Sequence, residues 1–105
     1  MSDQEGNKEE SLRRFMSCID SAMDVFGDSV KYVIYWNLEK EFGVKKEQIA
    51  QKPGKLAATI DKIFGSGGET VKKTIMKGIA QSTGSPMDED LDAALKRAYK
   101  YFMKI

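Results

Sequence analysis

The chain has 105 residues, of which 41% are hydrophobic and 31% charged, and its formal net charge is +1. That length holds one core rather than two, and the near-neutral balance argues against a chain given over to coating nucleic acid. Histidine is absent, which removes the commonest general base and the commonest metal ligand.

The small net charge hides a split. Residues 1–30 carry three basic and seven acidic groups, and residues 31–87 carry ten basic and five acidic. This permits a local basic face or head-to-tail self-association. Cys18 is the only cysteine, so no internal disulfide can form. Together with the lack of an apolar signal segment, this predicts a cytoplasmic, reducing setting. No stretch approaches the ~18 apolar residues of a membrane span.

Residues 1–8 are polar and read as a disordered tail or a fraying helix entry, ahead of one helical domain over 9–105. Leu12, Phe15, Met16, Ile19, Ala22, Met23 and Phe26 recur in steps of three and four, predicting an amphipathic helix that Gly27 stops in a left-handed conformation. Asp28 or Ser29 is placed to cap a second helix with Val30, Val33, Ile34, Leu38 and Phe42 inward. The run VKYVIYW within it is β-branched and aromatic, and could alternate as a strand through Val30, Tyr32, Ile34 and Trp36. Helix is the preferred reading. NLEKEFG continues without a turn signal to a helix-stop glycine, Gly43, and Val44 suits the hydrophobic contact that follows such a stop.

A short link follows, with one helical turn expected around Glu47 to Ala50. Pro53 then serves as the first residue of a third helix carrying Leu56, Ile60, Ile63 and Phe64, ending at Gly65. A fourth helix from about Glu69 turns Val71, Ile75, Met76 and Ile79 inward and stops at Gly84. Ser85 and Pro86 give a start signal for a last helix with Leu91, Leu95, Ala98, Phe102 and Ile105 on one side. Acidic residues at its beginning and basic ones at its end complement the helix dipole. The expected fold is all-α, a compact bundle of about five helices.

The Gly-rich run IFGSGGETVKKT fails both phosphate-loop patterns. Five places on from Gly65 stands Thr70, and five on from Gly67 stands Lys72, where a Walker loop needs glycine. The dinucleotide pattern also finds Thr70 at its third glycine. The run reads as a corner between helices, with weak anion binding at a helix N-terminus beside Lys72 and Lys73 as the residual alternative. Asp88, Asp90 and Asp92 are spaced as in a calcium loop, but Ala93 and Tyr99 stand where its glycine and glutamate belong. Cys18 reads as a buried, inert thiol. No acid pair is placed for general acid/base work, and neither a catalytic residue, a cofactor nor a metal is expected.

Two surfaces stand out. Tyr32, Tyr35 and Trp36 cluster on the second helix, and Tyr35 and Trp36 cannot both share the Val30–Ile34–Leu38 face. Some of that aromatic area must meet a second core wall, a protein interface or a ligand pocket. Lys96 and Lys100 lie on one stripe of the last helix, continued by Lys104, with Arg97 and Tyr101 nearby. Lys72, Lys73 and Lys77 form a second cluster. If the two helices pack side by side, they could offer one basic face to an anion or to nucleic-acid phosphates, although a solvated face is the commoner meaning and no helix-turn-helix, zinc or RNA-binding signature accompanies it.

Residues 27–75 also resemble the archaeal nitrosopumilus output domain family. The likeness rests on Val30 through NLE ending at Glu39, on FGV at Phe42–Val44, on Ile49 and Pro53, and on LxxxIxxIFGxG from Leu56 to Gly67. It covers about half the chain. It implies an output or regulatory module, of a kind often joined to sensor or DNA-binding parts, and supplies no catalytic motif. This chain departs from that pattern in its Met-rich first helix and long last helix. The leading expectation is a non-enzymatic regulatory or protein-interaction module that self-associates through Tyr32, Tyr35 and Trp36. Nucleic-acid binding through the lysines is the alternative.

Overall fold

The computed structural model describes residues 3–104. Among them there is helix and no strand: α1 spans Asp3–Met23, α2 Asp28–Phe42, α3 Pro53–Phe64, α4 Gly68–Thr83 and α5 Leu91–Met103. Single 3₁₀ turns lie at Asp24–Phe26, Lys46–Gln48 and Gly65–Gly67. The fold is all-α, and the run that could have been strand lies wholly within α2. Burial of Ile34 and Leu38, four residues apart, rewards the helical period there and overrides β-propensity.

The five α-helices of the described residues pack into one compact all-α body. α4 lies against α1, α3 and α5, and α5 packs in turn on α1 and α3. α2 rests on α3 and on the 3₁₀ turn after α1. The core joins Phe15, Ile19 and Met23 of α1 to Leu56 and Ile60 of α3, Ile75 and Ile79 of α4, and Leu91 and Leu95 of α5, all at most 2% exposed. Each such side chain contributes about 1.5–3 kcal/mol relative to leaving it in water. Gly78 lets α4 approach α1 closely, since a Cβ there would fall 2.8 Å from the Cβ of Ala22.

Several boundaries differ from those read in the sequence. α1 begins at Asp3, inside the segment expected as a tail or fraying entry, and Met1 and Ser2 of that segment lie outside the described residues, as does Ile105. The α-helical part of α1 ends at Met23, and the chain tightens into a 3₁₀ turn before Gly27, whose φ of 88° and ψ of 162° lie in a positive-φ region that glycine alone adopts readily, and not in left-handed α. Gly27 then occupies the N-cap of α2, so neither Asp28 nor Ser29 caps it. Gly43 and Gly84 do stop their helices in the left-handed conformation, and Val44 after Gly43 is buried. Val33, expected inward, is 41% exposed.

The largest correction concerns the start of α5. Ser85 and Pro86 lie in a connecting segment, and the cap is Asp90, whose carboxylate accepts a 2.8 Å hydrogen bond from the Ala93 backbone N–H. Asp88 is held in that segment by Arg97, whose Nε lies 3.0 and 2.9 Å from its two oxygens. The Arg97 contact thus ties the connecting segment to α5, and the helix opens only after it, at Leu91.

Candidate functional site

α2 presents two different sides. Ile34 and Leu38 are fully buried, while Tyr32 is 66% and Trp36 47% exposed. Tyr32 and Trp36 stand one turn apart, so with Val33 they form a continuous apolar surface on the solvent side. Such clustering on one helix is what distinguishes an interaction surface from scattered exposed residues.

Tyr35 belongs elsewhere. It is half-buried, and its hydroxyl donates a 2.6 Å hydrogen bond to Asp20 Oδ1 on α1. Lys46 Nζ approaches Asp20 Oδ2 to 3.6 Å and lies 5.0 Å from the Tyr35 ring centroid. Burial first, then the Asp20 hydrogen bond, push the Tyr35 phenol well above its ordinary pKa. Tyr35 therefore ties α2 to α1 and to the Lys46 turn, and is less exposed than Tyr32 and Trp36. Between α2 and that turn runs a shallow open groove of about 380 Å³, lined in part by Trp36, Glu39 and Glu47. Lys40 Nζ lies 4.4 Å from the Trp36 ring, a cation–π contact on the exposed face.

The lysines divide similarly. Lys72 is drawn into the fold: its side chain is 17% exposed and its Nζ lies 2.9 Å from Asp61 Oδ1 and 3.6 Å from Glu69 Oε1. The Asp61 hydrogen bond is the main cause of its raised pKa. Lys73, Lys77, Lys96 and Lys100 are exposed and form no ion pair among the described residues. They lie on the neighbouring helices α4 and α5. Lys73 nevertheless borders a groove that also holds Glu69, Glu89 and Asp92, which offset its field locally.

The Gly-rich corner is a 3₁₀ turn between two helices. Gly68 opens α4 where a Cβ would meet Asp61 Oδ1 at 2.7 Å. The Asp61 carboxylate thus already lies beside the positive end of α4, where an anion would have to bind. Cys18 is 5% exposed, and burial raises its thiol pKa against the opposing effects of Ser82 and Arg97, so its reactive thiolate form is scarce. Among the described residues, no three His, Cys, Asp or Glu side chains gather to hold a metal ion, and no helix is long and apolar enough to cross a membrane.

Sequence reasoning did not anticipate Val33 on the outer face of α2. Its place was legible, since Val33 and Ile34 are adjacent and one helix face cannot bury both fully. The pairing of Arg97 with Asp88 was also missed, because nine residues of separation across a helix start carry no periodic signal. No family model matches this chain, and neither a curated protein nor a solved structure does.

Proposed function

We propose that this chain is a non-enzymatic regulatory or protein-interaction module that works in the cytoplasm and self-associates through the outer face of α2. The observation that supports it is the exposure of Tyr32, Val33 and Trp36 together on one helix, whereas the other exposed large apolar residues, Val25, Met87 and Tyr101, lie on separate segments. Aromatic residues dominate interface energetics because they bury large area at little entropic cost. The likeness of residues 27–75 to nitrosopumilus output domains points the same way. Light scattering at ~50 and ~500 mM salt, with and without a short DNA duplex, tests the reading. A dimer that resists salt and ignores DNA supports it, and a monomer under all conditions contradicts it.

The second reading is nucleic-acid binding through Lys73, Lys77, Lys96 and Lys100, favoured by their exposure and by their forming no ion pair among the described residues, although acidic residues border Lys73. Binding of this kind weakens steeply with salt. Replacing these four lysines by glutamine would abolish it, and absence of binding to DNA and RNA at low salt would end that reading.

A further inference from the structure

The outer face of α2 carries more than apolar area. Asp28, Tyr32, Trp36 and Lys40 follow one another at four-residue steps, and all four are exposed. The row has an acid at one end, a base at the other and two aromatic rings between, and it runs about 18 Å along the helix. Neither end charge is committed inside the chain. Asp28 forms no ion pair among the described residues, and Lys40 touches only the Trp36 ring. Of the other charges on α2, Lys31 is engaged with Asp24 at 2.5 Å and Glu41 with Lys62 at 2.7 Å, while Glu39 is exposed and forms no ion pair among the described residues.

A row with this order is complementary to itself when reversed. We propose that α2 is the contact helix of a homodimer in which two copies of this chain meet antiparallel, with Asp28 of each copy facing Lys40 of the other. This rests on the self-association proposed above and specifies its geometry. About a twofold axis level with Ile34, Tyr32 falls opposite Trp36 of the partner subunit, and Glu39 falls opposite Ser29 of the partner subunit. Rows of this four-residue spacing pack along each other when helices cross at about 50°, and a twofold makes every contact occur twice. A parallel pair would instead set Asp28 against Asp28 and Lys40 against Lys40, with like charges at both ends. The charge order of the row therefore selects the antiparallel partner.

Charge exchange tests the register. In the homodimer of Asp28→Lys, lysine faces Lys40 twice. In that of Lys40→Asp, aspartate faces Asp28 twice. Each variant alone should weaken dimerisation about tenfold, measured by sedimentation equilibrium. An equimolar mixture of the two should recover it, because every facing pair in the mixed dimer is again opposite in sign. The recovery also controls for folding, since each variant is present unchanged in the mixture. Weakening without recovery, or no weakening, overturns the antiparallel register while leaving self-association through Trp36 standing. A wild-type chain that stays monomeric at every concentration overturns both.

Discussion

Arg97 on α5 grips Asp88 from the side, with Nε 3.0 and 2.9 Å from the two carboxylate oxygens and Nη2 2.8 Å from Oδ2. Its Nη1 donates a 2.9 Å hydrogen bond to Thr83 Oγ1, and Thr83 is buried. One guanidinium thus joins the end of α4, the connecting segment and α5. Both charged side chains are largely withdrawn from water, at 29% and 16% exposure, so removing one leaves the other poorly solvated. Asp88→Asn and Arg97→Met are each expected to lower unfolding stability by about 2 kcal/mol, read by urea denaturation. Arg97→Lys should recover little, because an ammonium lacks the planar fork. Stability within a few tenths of a kcal/mol of wild type would show that the grip is incidental.

Two glycine substitutions are expected to act in opposite directions. Gly78→Ala places a Cβ 2.8 Å from the Ala22 Cβ and 2.9 Å from its Cα, and backbone cannot easily give way. Overpacking should cost about 1–3 kcal/mol, outweighing the gain in helix propensity. Gly54→Ala, in the first turn of α3, meets only Asp92 Oδ2 at 3.4 Å. It should stabilise the fold by about 0.5 kcal/mol through a less flexible unfolded chain. Thermal unfolding of the two variants checks both signs.

The Tyr35 hydroxyl supplies a pH dependence. Its pKa in the folded chain is raised above the ordinary 10.0, by burial first and by the Asp20 contact second. A raised pKa means the folded state keeps a proton that the unfolded chain releases. The contribution is therefore complete below pH 10 and is lost progressively as pH rises beyond it. Wild type should lose about 1 kcal/mol more than Tyr35→Phe between pH 10 and 11, measured by urea unfolding. Lys31 and Lys72, whose pKa values are also raised, contribute to the alkaline limb of both proteins and cancel in the comparison. Parallel curves for the two would rule out the assigned role of Tyr35.

Much of the fold was legible because burial follows a helical period. Val71, Ile75, Met76 and Ile79 all turn inward as their spacing implied, as do Leu91, Leu95 and Ala98. Gly43 and Gly84 marked helix ends because left-handed backbone favours glycine. The beginnings of helices were harder to read. Ser85-Pro86 is a valid local signal, yet the helix opens at Leu91 behind the Asp90 cap, with Asp88 of the connecting segment paired to Arg97. The candidate surface was half legible: adjacency showed that Tyr35 and Trp36 must part, but only the position of Asp20 decides that Tyr35 is the one drawn in.

The measurement that bears most directly on self-association through α2 is solution mass by light scattering, over a concentration series, for wild type and for the double variant Tyr32→Ser, Trp36→Ser. Both side chains are exposed, so the variant should keep its helical circular dichroism. The account predicts a wild-type dimer at ~50 and ~500 mM salt, since apolar contacts resist screening, and a monomeric variant at both. A monomeric wild type, or a variant whose mass matches that of wild type, would contradict it.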